Sequence, residues 1–273
     1  MHATEPLSLP RTSQLVWWPL AALIVLLMAS GLAADVAGGG EEWNQVATTL
    51  WYLAWGTWVV SLCRRHGIGM QRLIGRPPRR ASAWGYAAMG FPLLLLSTGL
   101  FWLQLVLALA VTPEWAQEWL GDEPDALGHP SPLTAALDLL GSLALAPVVE
   151  ELVFRGALLR SWTRRRGRTA ALLGTAAIFA VLHPGDLLGT FVFGVVQGVI
   201  RLRTRTLLVP IACHVLFNGL TALLSADFVT FPGGTLTMDD MPRLWWVGAV
   251  CVAAAAPFLW IFLRLNMPRR RVP

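Results

Sequence analysis

Apolar residues fill most of the chain in long runs, and charged residues collect in the short stretches between them. A membrane-spanning helix needs about 20 mostly apolar residues. Eight runs come close to that length: Leu15–Ala34, Val46–Cys63, Ala83–Val111, Thr134–Arg160, Thr169–His183, Asp186–Arg201, Leu207–Ser225 and Arg243–Leu263. The sequence therefore predicts an all-α, polytopic integral membrane protein with about eight transmembrane helices.

The sign of the charge alternates along the predicted loops. Arginines dominate the loops 64–82, 161–168 and 202–206 and the C-terminal tail. Acidic residues dominate the remaining longer loops, which are 35–45, 112–133 and 226–242. Because loops rich in arginine stay in the cytoplasm, we expect the N-terminus and the C-terminus to be cytoplasmic.

The composition excludes a water-soluble globule. Of the 273 residues, 55% are hydrophobic and only 14% are charged, whereas about a quarter of a soluble domain is charged. The net charge is +5, and all of the positively charged side chains that contribute to it are arginines, with no lysine. Since these arginines lie beside apolar runs, we interpret them as topology signals and predict the lipid bilayer, and no nucleic acid, as a partner. Three cysteines without a CxxC motif argue against a disulfide framework or a zinc finger.

Charged residues inside the fourth run point to a site. Glu150, Glu151 and Arg155 lie within six residues, and each would cost roughly 2.5–3.5 kcal/mol at the centre of a spanning helix unless it is paired, hydrated or functional. Glu151 and Arg155 are spaced i,i+4 and can pair. Glu150 lies about 100° around the helix and has no such partner, so it is the better candidate for a catalytic base. The alternative is a buried ion network that only holds helices together.

Two histidines and an asparagine lie at a similar depth. His183 precedes Pro184, which places it at a helix end. His214 and Asn218 are spaced i,i+4 and share one face of the seventh segment. At 1.5 Å per residue, these side chains and Glu150 fall in one layer near the middle of the bilayer. A single histidine could simply bond a backbone carbonyl, but the whole set favours a functional site.

Smaller features surround this layer. Pro147 and Pro210 each free a backbone carbonyl, so they either widen the helix beside a pocket or kink it. Asp186 is predicted to cap the sixth helix. Gly194 and Gly198 form a GxxxG motif, which is typical of close helix packing.

The set of side chains suits water activation. No serine or cysteine has a matched base, since Cys213 points away from its neighbour His214. A carboxylate and an imidazole can activate water, while a second imidazole and an amide donate to an oxyanion. Glu150, His183 and His214 could instead bind zinc and leave a position for water. The residues alone leave both mechanisms open.

Three short motifs carry a family resemblance. EELVFRG at Glu150–Gly156 resembles the EExxxR motif of the CPBP family, which comprises CAAX proteases and bacteriocin-processing enzymes. FAVLH at Phe179–His183 resembles its FxxxH motif, and HVLFN at His214–Asn218 resembles its HxxxN motif. All three follow in the family's order within Thr134–Ser225, so the chain is identified as similar to this family.

The resemblance implies an intramembrane protease with an eight-helix core, like the type II CAAX prenyl endopeptidase. It implies a role for each motif residue: Glu150 as the base on water assisted by His183, His214 and Asn218 as oxyanion donors, and Glu151 and Arg155 as residues that order the site. The family's common name implies zinc, and a metal-free glutamate mechanism is also compatible with it. We divide the chain accordingly into helices one to three (1–133), a catalytic core (134–225) and the last loop, helix and basic tail (226–273).

The expected function is that of an intramembrane endopeptidase in a bacterial cytoplasmic membrane. Its substrate would be a peptide or membrane protein, with or without a lipid anchor. The alternative is a non-catalytic membrane scaffold or a bacteriocin immunity factor that retains the polar site. A transporter would predict inverted repeats around broken helices, and the sequence has none.

Overall fold

The structure, a computed structural model, describes residues 9–37, 40–114, 131–225 and 242–268. These residues form helices and connecting turns, without a strand. Backbone groups in lipid must be hydrogen-bonded within the segment, which favours helices for apolar runs of this length. In chain order the helices are α1 (Trp18–Ala37), α2 (Gly40–Arg65), α3 (Met70–Ile74), α4 (Gly90–Val111), α5 (Pro132–Arg166), α6 (Arg168–Val181), α7 (Leu187–Thr204), α8 (Leu208–Ser225) and α9 (Trp245–Asn266).

Several helices can cross a membrane, which confirms the prediction of an all-α polytopic membrane protein. Among the described residues, five helices are long and apolar enough: Trp43–Arg65, Ala81–Val111, Pro132–Arg166, Pro184–Thr204 and Pro242–Asn266. Three shorter apolar helices are Ser13–Ala29, Arg168–Val181 and Leu208–Leu224. Each predicted run coincides with one of these helices, while the number of crossings and the orientation of the termini stay predictions. The greater part of the acidic loops, at 115–130 and 226–241, lies outside the described residues.

Helices α5 to α8 lie between two flanking pairs. On one side α1 packs against α2, and α2 contacts α5; on the other, α4 packs against α9 and contacts α7 and α8. Glycines allow the closest approaches. A Cβ atom at Gly194 of α7 would lie 2.9 Å from Ala176 of α6, and one at Gly99 of α4 would lie 2.7 Å from the carbonyl oxygen of Gly248 in α9. The predicted role of Gly194 in close helix packing is therefore confirmed.

Helix α5 changes its winding around the charged residues. Two stretches, Gly141–Leu145 and Glu151–Leu158, are π-helical and lie on either side of Pro147. A proline inside a helix removes a backbone hydrogen bond, and wider π turns occur often at functional sites. The open choice at Pro147 is thus resolved towards a widened helix, and Glu150 lies directly before the second π stretch, which contains Glu151 and Arg155.

The turn between α6 and α7 places His183 outside regular helix. Helix α6 ends at Val181, and a single 3₁₀ turn, Pro184–Asp186, leads into α7. The Asp186 carboxylate accepts a hydrogen bond of 3.0 Å from the backbone N–H of Gly189, as predicted for an N-cap. It also accepts a hydrogen bond from the hydroxyl of Ser97 in α4, which ties this turn to the flanking pair.

A short helix in an arginine-rich loop was not predicted. In α3, Leu73 is fully buried, and the carbonyl of Ile74 accepts a hydrogen bond of 2.7 Å from the N–H of Leu207. Gly75 follows with a φ of 85°, and a Cβ there would lie 2.3 Å from the carbonyl oxygen of Arg205. Glycine is needed for both reasons, and α3 is fixed against the turn between α7 and α8.

Candidate active site

A cavity of about 320 Å³ lies among α2, α5, α6, α7 and α8. Four of the predicted site residues line it: Glu150, His183, His214 and Asn218. The other two, Glu151 and Arg155, are buried behind its wall. Aromatic side chains of Phe179, Phe193 and Phe217 form the apolar part of the lining.

Glu150 is the carboxylate that faces the cavity. Glu150 is only 5% exposed. One oxygen, Oε1, accepts a hydrogen bond of 2.8 Å from the hydroxyl of Tyr52 in α2. The other, Oε2, lies 3.9 Å from Nε2 of His214, too far for a hydrogen bond. The carboxylate is therefore held at one oxygen and open at the other.

Glu151 and Arg155 form the predicted i,i+4 ion pair. Glu151 is fully buried, and its Oε1 accepts a hydrogen bond of 2.9 Å from Nη1 of Arg155. Nη2 of Arg155 also donates to the carbonyl of Gly194, at 3.4 Å. The guanidinium carbon lies 4.7 Å from the centre of the Phe179 ring, within the range of a cation–π contact. Arg155 thus holds α5 to both α6 and α7.

Each of the two histidines is held at Nδ1 by an oxygen acceptor. Nδ1 of His183 lies 2.8 Å from the carbonyl oxygen of Phe179. Because a carbonyl only accepts, Nδ1 carries the proton, and Nε2 of the neutral ring is an acceptor. Nδ1 of His214 lies 3.1 Å from Oε1 of Glu151. A carboxylate behind Nδ1 orients the ring, and Nε2 of His214 becomes a donor only when the ring carries both protons.

Asn218 is oriented by α5. Its amide nitrogen donates a hydrogen bond of 2.7 Å to the carbonyl oxygen of Ser142, in the first π stretch of α5. An amide nitrogen has two N–H groups, so the second one stays available to the cavity. The π winding therefore supplies the carbonyl that fixes this side chain.

The polar side of α2 was not predicted. Gln45, Thr48, Thr49 and Tyr52 all line the cavity, and their spacing of i, i+3, i+4 and i+7 is typical of one helix face. This stripe in an otherwise apolar run was a usable signal. What it could not indicate is the partner, because Glu150 lies 98 residues further along the chain than Tyr52.

Zinc binding by Glu150, His183 and His214 stays a prediction. Within the described ranges, no group of three or more His, Cys, Asp or Glu side chains could hold a metal ion. Cys213 is buried and is not part of the cavity lining, as expected of a packing residue.

The fold and the polar cavity define a polytopic membrane protein with a buried carboxylate–histidine site. The model of the family described as Rce1-like, type II CAAX prenyl endopeptidase Rce1-like, matches residues 132–220, about a third of the chain. This is a family of proteases, and the family prediction made from the three motifs is confirmed. No curated protein and no solved structure matches the chain. The division into three parts stays a prediction.

Proposed function

We propose that the protein is an intramembrane endopeptidase that uses Glu150 to activate water. The observation that carries the proposal is the arrangement around one cavity: a carboxylate with one oxygen open and two imidazoles that are oriented through Nδ1. A hydrolase needs a base for water and donors for the oxyanion on opposite sides of the reacting carbonyl. The match of residues 132–220 to a protease family supports the same activity.

The steps assign one task to each side chain. Glu150 takes a proton from water, and Nε2 of His183 accepts the second O–H and holds that water in place. The hydroxide adds to the carbonyl carbon of the peptide bond, and the charge moves to the carbonyl oxygen. Nε2 of His214 and the free N–H of Asn218 donate to that oxygen. When the C–N bond breaks, protonated Glu150 returns its proton to the departing amine.

Glu151, Arg155 and Tyr52 act through these groups. The ion pair holds the ring of His214, and the tyrosine hydroxyl fixes Glu150 by one oxygen. Zinc dependence stays a separate proposal, and the steps above use only groups of the chain itself. The substrate we expect is a peptide or membrane-protein segment, with or without a lipid anchor, that reaches the cavity from the bilayer or the cytoplasm.

The decisive experiment is peptide cleavage by the purified, detergent-solubilised protein. A library of plain and lipidated peptides is incubated with the wild type, with Glu150→Gln, and with Glu114→Gln, an exposed control three residues beyond the end of α4. Mass spectrometry identifies the products. We expect Glu150→Gln to lose cleavage by at least 1,000-fold, on the order reported for removal of a catalytic group, with an unchanged melting midpoint. The control should cleave like the wild type.

The same experiment separates the alternatives. Full activity of Glu150→Gln would exclude this residue as the base. Loss of wild-type cleavage with a chelator, restored by zinc, would replace the metal-free steps by a zinc mechanism. No cleavage of any peptide by folded wild type would favour the scaffold or immunity function.

A reporter experiment tests the proposed location in a bacterial cytoplasmic membrane. The positive-inside rule predicts that a reporter fused after Arg166 is cytoplasmic and that one fused after Asp122, outside the described residues, is external. An alkaline phosphatase and a green fluorescent protein fusion at each position give opposite signals. The reverse pattern would invert the topology and disprove cytoplasmic termini.

A further inference from the structure

A second cavity, of about 980 Å³, opens at the arginine-rich end of the bundle. It lies where the turn from α5 to α6, the end of α7 and the end of α9 meet. Seven arginines line it and no acidic residue does. The lining therefore carries a formal charge of +7 before any partner is counted.

Only one of these arginines has its charge balanced by a described residue. Arg155 pairs with Glu151, and none of the other six forms an ion pair within the described ranges. Instead, some are held by backbone carbonyls. Arg160 donates to Arg72 at 2.9 Å, and Arg203 donates to Leu265 at 2.8 Å. These contacts position the guanidinium groups and leave their charge uncompensated.

Two buried donors in the lining have no hydrogen-bond partner. They are Nε of Arg201 and the hydroxyl of Thr163. A buried donor without a partner costs about 1–3 kcal/mol, so such groups are expected to meet an acceptor in the working protein. The positive-inside rule explains why arginines are at this end. It does not explain why they line a concavity or why two donors inside it are unsatisfied.

We propose that this cavity binds a phosphate group, supplied by the headgroup of an anionic phospholipid or by free phosphate. Guanidinium groups match phosphate oxygens in geometry and charge. The cavity lies at the ends of three membrane helices, where lipid headgroups are found, and basic pockets between helices at the cytoplasmic face suit such headgroups. The unpaired donors of Arg201 and Thr163 lie just below the cavity surface, so these side chains turn towards the phosphate oxygens to donate, and Arg168 contributes charge at the rim.

Lipid binding by the full-length protein in neutral detergent tests the proposal without reference to peptidase activity. Native mass spectrometry compares phosphatidylglycerol with phosphatidylcholine of the same acyl chains. The variants are Arg201→Gln, Arg168→Gln and Thr163→Val, and Arg79→Gln is the matched control, since it removes one exposed arginine outside the cavity. In a parallel arm, thermal melting midpoints are measured in inorganic phosphate and in chloride at equal ionic strength.

We expect phosphatidylglycerol to bind preferentially and Arg168→Gln to weaken its binding about fivefold, the effect of one arginine near an anionic headgroup. Thr163→Val should weaken it also, and Arg79→Gln should change it by less than twofold. If phosphate raises the melting midpoint more than chloride and the two lipids bind alike, free phosphate is the source. Because Arg168 is exposed and its replacement leaves the fold intact, the test stands even if Arg201→Gln does not fold.

Three results would overturn the proposal. The first is equal binding of both lipids together with equal midpoints in phosphate and chloride. The second is a lipid preference that Arg168→Gln and Thr163→Val leave unchanged. The third is a loss in Arg79→Gln as large as that in Arg168→Gln, which would indicate diffuse surface charge.

Discussion

The two cavities differ in how their polar groups are satisfied. In the candidate active site, Glu150, His183 and Asn218 each have a hydrogen-bond partner within the protein. In the basic cavity, Arg201 and Thr163 keep buried donors without one. The protein itself fixes the side chains of the first site, as a reaction that develops charge in its transition state requires. The second is completed by a ligand, as a binding site for an anion requires.

The cavities meet at one ion pair. Arg155 lines the basic cavity, and its partner Glu151 contacts His214, which lines the candidate active site. This pair lies between the other six arginines of the cavity and the acid and imidazole groups of the candidate active site. Replacing a member of this pair should therefore have the largest effect, and replacing a polar group of the candidate active site should have a smaller one.

The largest effect is expected for Arg155→Met. Removing one partner leaves the buried charge of Glu151 with His214 alone, because its Oε2 has no hydrogen-bond partner among the described residues. Breaking a buried pair in this way costs about 3–5 kcal/mol. We expect this loss in the free energy of unfolding, measured by titrating the detergent-solubilised protein with SDS.

A double variant provides the control. Glu151→Gln together with Arg155→Met removes both charges and should regain much of the stability, since neither partner is left buried alone. If Arg155→Met is as stable as the wild type, the pair does not separate the two cavities energetically.

Asn218→Ala should have the next largest effect, and only on catalysis. Loss of one oxyanion donor lowers kcat by about 100- to 1,000-fold, because the amide that Ser142 orients would no longer face the reacting oxygen. Kinetics with a peptide found in the cleavage screen measure the change. Thr221→Ala, one turn further along α8 and outside the cavity lining, should keep the wild-type kcat. Equal losses in both variants would indicate a disturbed helix and not a missing donor.

Tyr52→Phe should have the smallest effect of the three. Its hydroxyl donates to a charged carboxylate, and such a bond contributes about 1.5–3 kcal/mol to stability, so the melting midpoint should fall and kcat should fall about 10- to 100-fold with KM unchanged. The chain has only one other tyrosine, Tyr86, whose hydroxyl donates to Asn266 at 3.2 Å, away from the candidate active site. Tyr86→Phe is therefore the matched control. A change in KM with kcat intact would assign Tyr52 to substrate binding.

Much of the fold and of the candidate site could be predicted from spacing along one helix. Long apolar runs predicted the helices, because lipid leaves a chain few other ways to satisfy its backbone. The i,i+4 spacing predicted the Glu151–Arg155 pair, and the Pro184 turn predicted both the helix end at His183 and the cap at Asp186. Each of these features depends on residues within one or two helical turns of one another.

Contacts between distant helices were decided only by the tertiary structure. Tyr52 bonds Glu150, and Ser142 bonds Asn218 from 76 residues away. The basic cavity forms where the ends of three helices meet. Helical periodicity states which face a residue occupies, but not which helix lies against that face, because packing angles depend on side-chain shape along the whole interface. The sequence thus determined which polar and charged side chains lie within the membrane helices, and helix packing decided which of them come into contact.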